Sequence, residues 1–327
     1  MQYPQIAASA LSADMVAPRT PAALGCVLPP NSKWCETRHA RLNSSTSFII
    51  AVPLHDVVGR SICSARGGWE QRPADVRALE YFVPQRLMLD IGANIGWFTF
   101  VFALRKWTVH AFEPMPFNRQ LLNATLCMNP ELVQYVNIHP VALGIVDKPL
   151  PCKVYSATDN MGDGVVCCDD DPCGGPLHVR TNRKFTLRGE TMVQQLDTFL
   201  ASKRFPPGSV GFVKIDVEGY ECGVLQGGKQ LLHHIRPAVV RTEVNTFHST
   251  FCTPSEYLQM YRDHHYNVSA NSIDGQIMRQ SADGNYFRGR LSLNKSWNLD
   301  FFARRHDIYS LHQQHASSSR NRTTPPS

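Results

Sequence analysis

The sequence predicts an α/β fold in which helices cover both faces of a mostly parallel β-sheet. Three short apolar runs support this prediction, because each ends in an acidic residue and precedes a helical pattern. The three runs end at Asp90, Glu113 and Asp216. Apolar runs without polar alternation are typical of strands buried on both faces of a parallel sheet. Because the carboxyl ends of parallel strands meet at one edge, we expect the three acids to lie along it.

The first strand runs into a glycine turn with the sequence Asp90-Ile91-Gly92-Ala93-Asn94-Ile95-Gly96. Gly92 and Gly96 lack a Cβ atom, so the backbone can turn sharply there and approach a ligand. The spacing differs from the Gly-x-Gly-x-x-Gly of dinucleotide sites, and the acid before the first glycine repels phosphate. The turn therefore favours an uncharged or cationic cofactor such as S-adenosylmethionine over NAD. A strand-turn-helix without a ligand is the structural alternative.

The second strand ends at Glu113, 23 residues after Asp90, which is the length of one strand-helix-strand step. An acid at this position accepts hydrogen bonds from the ribose hydroxyls of a bound nucleoside. A helix is expected at 116–128, since proline suits the first turn of a helix. The third strand is expected within 133–143, and its end near Ala142 is expected to pass under the adenine ring.

A second motif, Lys214-Ile215-Asp216-Val217-Glu218-Gly219, ends a further apolar strand at 212–215. The next predicted strand, at 238–241, ends at Glu243. Asp90, Glu113, Asp216 and Glu243 are therefore all expected at the carboxyl edge of one sheet, where open α/β folds bind their ligands.

The composition and the distribution of charge along the chain indicate its domain organisation. The chain has 327 residues and a formal net charge of +6. Most of this charge lies at the termini, because residues 1–47 contribute +2 and residues 304–327 contribute +3. The nearly neutral remainder argues against a nucleic-acid surface. We predict a disordered lead-in at 1–47, one domain at 48–306 and a disordered tail at 307–327.

The ten cysteines and five Asn-x-Ser/Thr sequons leave the compartment open. Such a combination suits a secretory lumen. However, neither a clear signal peptide nor an apolar stretch of transmembrane length is visible, so a cytoplasmic protein and a luminal one with an incomplete N-terminus are both retained. Cysteines at 152, 167, 168 and 173 lack the spacing of paired zinc knuckles. Residues 151–190 are therefore expected to form a Cys/Gly-rich insertion loop, stapled by a disulfide if the compartment is oxidising.

With both motifs in view, the chain resembles the FkbM family of S-adenosylmethionine-dependent methyltransferases over about residues 48–306. The matching segments are LDIGANIGWFTF at 89–100, HAFEPMPFNRQLL at 110–122, VALG at 141–144 and FVKIDVEGYECGVLQGG at 212–228. The resemblance implies a Rossmann-like class I methyltransferase fold with a seven-stranded sheet whose last strand is antiparallel. The cofactor-binding positions are expected at Asp90, Gly92, Ala93, Asn94, Gly96, Glu113, Pro114 and Ala142. The cysteine-bearing insertion and the polar termini depart from the family pattern and leave the substrate open.

The resemblance also implies O-methylation of a sugar, glycan or natural-product hydroxyl. We hypothesise that Asp216 accepts the hydroxyl proton and that Glu218 or Glu243 orients the acceptor. A divalent cation held by these three carboxylates is a less favoured alternative, and a purely structural role for Glu218 and Lys214 is another. A nicotinamide-dependent oxidoreductase and a non-catalytic binding module are the alternative functions. Oligomeric state is not predicted.

Overall fold

The computed structural model describes most of the chain. The described residues are 21–37, 47–64, 67–70, 73–157, 160–168, 184–245, 252–273, 275, 277–280, 286–288, 291–292 and 298–308. The helices are α1 (Pro21–Leu24), α2 (Val57–Ile62), α3 (Pro73–Phe82), α4 (Trp97–Ala103), α5 (Pro116–Met128), α6 (Leu196–Lys203), α7 (Glu221–Gln226) and α8 (Pro254–Asp263). The strands are β1 (Ser32–Glu36), β2 (Ile49–Pro53), β3 (Leu87–Ile91), β4 (Thr108–Phe112), β5 (Val136–His139), β6 (Val141–Leu143), β7 (Leu150–Ala157), β8 (Asn160–Cys167), β9 (Phe185–Gln194), β10 (Phe212–Ile215), β11 (Val239–Asn245), β12 (Tyr266–Ala270), β13 (Arg279–Gln280), β14 (Tyr286–Arg288), β15 (Leu291–Ser292) and β16 (Asn298–Arg305).

The central sheet has seven strands in the order β12-β16-β11-β10-β3-β4-β5. Neighbouring strands from β11 to β5 are parallel, and β16 runs antiparallel to both β11 and β12. This arrangement confirms the predicted mostly parallel, seven-stranded α/β fold. β3 and β10 occupy the centre, so the two sequence motifs that follow them lie side by side.

Helices cover both faces of this sheet, which explains why its central strands are uninterrupted apolar runs. Met88 of β3 packs in the core on the side of α4 and α5, whereas the next residue, Leu89, packs on the side of α6, α7 and α8. Phe212 and Val213 of β10 alternate in the same way. Helix α8 begins with a capping box in which Thr253 and Glu256 exchange hydrogen bonds, as the sequence indicates. No helix among the described residues is long and apolar enough to cross a bilayer.

The N-terminal segment 21–37 is folded, so the prediction of a disordered lead-in through residue 47 is wrong for this stretch. Strand β1 pairs antiparallel with β2. Disulfides join Cys26 to Cys127 on α5 and Cys35 to Cys63 after α2. These contacts join residues far apart in the sequence. They order a segment whose composition alone predicts disorder. Residues 1–20 and 309–327 lie outside the described part of the chain, as do 38–46.

The segment predicted as a third strand and the insertion after it also differ from expectation. Residues 130–135 form a 3₁₀ helix, and Pro140 separates β5 from β6. Strand β6 joins a second sheet in the order β6-β9-β7-β8. The described part of 151–190 is therefore mostly strand rather than loop, because β7, β8 and β9 pair with one another. The predicted disulfide staple is present as Cys152–Cys168.

Candidate active site

A cavity of about 330 Å³ opens at the carboxyl ends of β3, β4 and β10. Its floor is the glycine turn 91–95, and residues 162–166 of the second sheet lie across from that turn. The volume lies within the range of small-molecule sites. Among the predicted cofactor residues, the cavity lining includes Gly92, Ala93, Asn94, Glu113, Pro114 and Ala142. The second sheet, most of which falls in the predicted insertion loop 151–190, is therefore a wall of the site.

Gly92 is required by the protein backbone itself. Its φ is +79°, and a Cβ atom there would lie 1.8 Å from the carbonyl oxygen of Asp216. The amides of Gly92 and Ala93 donate to the carbonyl of Phe112, at 3.1 and 3.0 Å. The turn is thus packed directly between the ends of β4 and β10, with no room for a side chain at this position.

Gly96 has a structural role in the packing of two helices. A Cβ atom at Gly96 would lie 2.3 Å from Leu122 Cδ2 on α5 and 2.5 Å from Phe100 on α4. Gly96 does not line the cavity. Its missing side chain allows α4 to approach α5 closely, and the expectation that Gly96 also lies close to a ligand stays a prediction.

Glu113 is a buried carboxylate at the cavity wall. Its Oε2 accepts the amide of Asn94 at 2.7 Å, and its Oε1 accepts the amide of Met115 at 2.9 Å and Nδ2 of Asn118 at 3.3 Å. Burial raises the pKa of Glu113 to about 7, although these hydrogen bonds and the Lys214 charge oppose the rise. Glu113 therefore fixes the glycine turn and presents an acceptor with capacity for further donors.

Asp90 lies beneath the turn and does not line the cavity. Its side chain is completely buried and accepts the hydroxyl of Thr99 on α4 at 2.6 Å. Its other oxygen lies 3.8 Å from Nζ of Lys214. Burial raises the pKa of Asp90 in spite of that ammonium group. The carboxylate of Asp90 points toward α4 and β10, and its expected role in binding the cofactor stays a prediction.

Lys214 connects the two motifs. Its buried ammonium group donates to the carbonyl of Gly92 at 2.7 Å and lies 3.2 Å from Oδ2 of Asp216. In the sheet Lys214 is paired directly with Asp90. Burial lowers the pKa of Lys214, but Asp216 and then Asp90 outweigh this effect, and the net shift is upward. Lys214 is therefore a permanent cation between the cofactor turn and the candidate base.

Asp216 lines the cavity with a side chain that is 23% exposed. Burial on its own raises the pKa of Asp216, but Lys214, Arg241 and a hydrogen bond with Glu243 outweigh it and lower the pKa. Arg241 is paired with Lys214 in the sheet and forms a 3.1 Å ion pair with Glu70, another cavity residue. Asp216 is thus kept ionised in the wall of the site.

Glu218 and Glu243 differ from Asp216 in charge. Burial, followed by repulsion from Asp216, raises the pKa of Glu218 well above its usual value and that of Glu243 to about 9. Glu218 lines the cavity, and its backbone φ is +55°. Glu243 is hydrogen-bonded to Asp216 and does not line the cavity. Glu243 is therefore protonated at neutral pH, and the pKa of Glu218 is shifted in the same direction, next to one ionised aspartate. Within the described residues, no group of three or more His, Cys, Asp or Glu side chains is placed to hold a metal ion.

Two polar residues have places in the site that the sequence analysis does not assign: Lys214, considered there only for a structural role, and Asn118. Lys214 could have been inferred, because residues two apart on a strand share a face and Lys214 is two residues before Asp216. Asn118 could not, because its contact with Glu113 depends on how α5 packs. The Oδ1 atom of Asn118 is buried and has no hydrogen-bond partner among the described residues, so it is an acceptor available at the cavity wall.

The sequence profile of the methyltransferase FkbM domain matches residues 90–268. The chain belongs to the FkbM methyltransferase family. The predicted class, an S-adenosylmethionine-dependent methyltransferase on a Rossmann-like fold, is thereby confirmed. None of the curated proteins matches the chain in sequence.

Solved structures of methyltransferases show only distant similarity. A precorrin-6y C5,15-methyltransferase from Geobacter metallireducens GS-15 is 11% identical, with 78% of this chain and 100% of that chain covered and a TM-score of 0.36. A SAM dependent methyltransferase from Aquifex aeolicus is 9% identical, with 70% and 88% covered and a TM-score of 0.32. One from Agrobacterium tumefaciens is 8% identical, with 79% and 67% covered and a TM-score of 0.37. Scores this low carry no argument, so the fold rests on the strand order and the family.

Proposed function

We propose that this protein transfers a methyl group from S-adenosylmethionine to a hydroxyl oxygen of an uncharged sugar, glycan or natural product, with Asp216 as the general base. The observation that carries the proposal is the position of Asp216. Its carboxylate lies in the cavity wall, 3.2 Å from the ammonium group of Lys214, which also donates to the carbonyl of Gly92 in the cofactor turn. An ionised base and a cofactor cradle thus belong to one hydrogen-bonded unit.

The residues of the cavity fit the proposed cofactor. Glu113 would accept the ribose hydroxyls, since each carboxylate oxygen has more than one acceptor position. The buried Oδ1 atom of Asn118 lacks a partner among the described residues and would accept a further hydrogen bond, because buried polar atoms are nearly always satisfied. Ala142 and the apolar residues beside it in the lining, Val141 and Leu143, would contact the adenine. Gly92 and Ala93 would face the methionine end.

S-adenosylmethionine, when bound, supplies an electrophilic methyl group on a sulfonium that leaves as a neutral thioether. The chain's own residues must then position and deprotonate the acceptor. Asp216 takes the hydroxyl proton, so that the oxygen's electron pair is free to form the new O–C bond. Glu218, whose raised pKa favours its protonated form, donates a hydrogen bond to another oxygen of the acceptor, and Glu243 holds Asp216 through a hydrogen bond. Positive charge on Lys214 keeps Asp216 ionised before each turnover.

The charge of the site favours an uncharged acceptor. Asp216, Glu218 and Glu70 line the cavity, and burial together with repulsion from Asp216 already raises the pKa of Glu218 well above its usual value. Lys214 and Arg241 are committed to Asp216 and Glu70, respectively. An anionic group on the acceptor would therefore enter a site without a spare cation among these residues, at a further electrostatic cost.

The test is replacement of Asp216 by asparagine, with Asp147→Asn at an exposed position as the matched control. Transfer of labelled methyl groups to a panel of neutral hydroxylated acceptors gives turnover, and calorimetry gives the affinity for S-adenosylmethionine. General-base catalysis typically contributes about 10²–10⁴-fold, so we expect turnover to fall by that factor in the Asp216 variant while cofactor affinity stays within a few-fold. Unchanged turnover would exclude Asp216 as the base.

Two further outcomes separate the alternatives. Wild-type turnover that persists after exhaustive chelation removes the cation-assisted mechanism, whereas loss of activity that is restored by a divalent cation supports it. Tight binding of NAD in place of S-adenosylmethionine would refute the proposed reaction altogether.

A further inference from the structure

Disulfides tie the described part of the chain together at widely separated points. Cys26–Cys127 and Cys35–Cys63 join the N-terminal segment to the main domain, and Cys152–Cys168 lies in the second sheet. Cys222–Cys252 joins α7, which follows the second motif, to the segment that leads into α8. Cys167 is also disulfide-bonded, and no described cysteine is free. These bonds link segments 16 to 101 residues apart, so they crosslink the tertiary fold.

Such a set of disulfides indicates the redox state of the cellular compartment in which the chain folds. Disulfides persist in secreted and luminal proteins, whereas cytosolic thiols are kept reduced. Closing a long loop stabilises a fold because it lowers the conformational entropy of the unfolded chain. The Cys26–Cys127 bond joins residues 101 positions apart in the sequence and attaches the segment 21–37 to α5. The fold therefore points to an oxidising compartment, in which Asn-x-Ser/Thr sequons can be glycosylated.

One sequon lies at an accessible place in this fold. Asn123, in the sequon Asn123-Ala124-Thr125, is exposed in the middle of α5. It does not line the candidate active-site cavity, although Asn118 of the same helix does. Thr125 is buried, and its hydroxyl accepts the amide of Ala51 at 3.0 Å. The asparagine thus points outward from a helix that is firmly held by the fold.

The surface around Asn123 is apolar. A shallow groove of about 440 Å³ is lined by Asn123, Cys127 and the segment 27–30. Val27 is 81% exposed and Leu24 is 41% exposed. Because Asn123 itself lines the groove, the first sugars of an N-linked glycan at Asn123 would lie beside these exposed apolar side chains.

We propose that Asn123 is an N-glycosylation site and that the chain matures in an oxidising secretory compartment. The glycan covers the apolar segment 27–30 beside the Cys26–Cys127 disulfide and leaves the active-site cavity open. Asn267, the second sequon asparagine within the described residues, provides the contrast. It is half-buried in β12, and its side chain is 3.2 Å from Nδ1 of His306. A glycan there would break this contact, so we expect Asn267 to be unmodified in the folded protein.

The experiment uses the full chain purified from its native cells with thiols blocked at lysis. Peptide mapping without reduction, before and after peptide N-glycosidase, reads both modifications. We expect the map to contain the peptide crosslinked by Cys26–Cys127. We expect Asn123 to be converted to aspartate only after treatment with peptide N-glycosidase. In the same cells, Asn123→Gln is expected to lose one glycosidase-sensitive mass increment, whereas the matched Asn267→Gln is expected to retain it.

Each other outcome overturns part or all of the inference. An unmodified Asn123 in protein whose disulfides are formed refutes the glycosylation site. Blocked free thiols at Cys26 and Cys127 refute the oxidising compartment. A glycosidase-sensitive increment that survives in Asn123→Gln and disappears in Asn267→Gln assigns the glycan to the wrong face of the fold and refutes the argument from exposure.

Discussion

Replacing Gly92 with alanine is expected to separate the cofactor turn from the candidate base. The added Cβ atom would lie 1.8 Å from the carbonyl oxygen of Asp216, where contacts below 3.0 Å are essentially never found. One of the two backbones must therefore retreat by about 1 Å. The positive φ costs about 1–2 kcal/mol, and overpacking against a fixed backbone adds about 1–3 kcal/mol. We expect the free energy of unfolding to fall by about 2–5 kcal/mol in total.

Gly25 provides a matched control. Its φ of +65° is similar to that of Gly92, but a Cβ atom there would meet nothing within 4 Å. Gly25→Ala therefore carries only the conformational cost of about 1–2 kcal/mol, and the difference between the two variants isolates the overlap with Asp216.

The functional consequence follows from the same displacement. The carbonyl of Gly92 accepts from Lys214 at 2.7 Å, and the amide of Asp216 donates to the carbonyl of Ile91 at 3.0 Å. A shift of about 1 Å disrupts both bonds, and misplacement on that scale can reduce turnover by about 10²-fold. Denaturant unfolding, calorimetric titration with S-adenosylmethionine and methyl-transfer rates measure the three effects. If Gly92→Ala matches Gly25→Ala in all three, the reasoning about the turn is refuted.

Three other predictions concern charge. Glu113 must be ionised to accept two ribose hydroxyls, and burial raises its pKa to about 7. Affinity for S-adenosylmethionine should therefore fall about tenfold per pH unit below that pKa, and Glu113→Gln should bind weakly with no such slope in calorimetry. In Lys214→Met, the pKa of Asp216 rises because its main opposing cation is lost, so the acidic limb of the kcat/KM profile should move to higher pH; an unmoved limb in a folded variant would contradict that role. Acceptors carrying phosphate or sulfate beside the reactive hydroxyl should be poorer substrates than their neutral parents, and equal kcat/KM values would show that the acidic lining has no influence on selection.

The central sheet was predictable because its information is local. β3, β4 and β10 are short apolar runs, each followed by an acid and a helical pattern, and this is what burial on both faces of a parallel sheet requires. The positions of Glu113 and Asp216 at the sheet edge follow from strand polarity alone. Strand polarity does not determine the direction in which each of these side chains points. Asp90 faces Thr99 and Lys214 because of the pairing between β3 and β10, which joins residues far apart in the sequence.

Order in the N-terminal segment was missed for a related reason. Proline and alanine without periodicity suggest a flexible chain, but β1 gains its order from pairing with β2 and from two disulfides. Likewise, the cysteine-rich insertion reads locally as a glycine-containing loop, yet its strands pair with β6 and close the cavity. In both cases the contacts that order the segment join residues far apart in the sequence. A local sequence pattern cannot identify such contacts.

The site is best understood as a single unit built from two distant motifs. Gly92 must be a glycine because Asp216 occupies the space where a side chain would stand. Lys214 must be buried because it satisfies the carbonyl of Gly92 and balances the carboxylates of Asp90 and Asp216. Removal of one partner from such a buried set leaves an uncompensated charge, which is strongly destabilising. The contacts of Lys214 with Asp90 and Asp216 therefore couple the geometry of the glycine turn to the ionisation of the candidate base, so that neither motif can be altered without affecting the other.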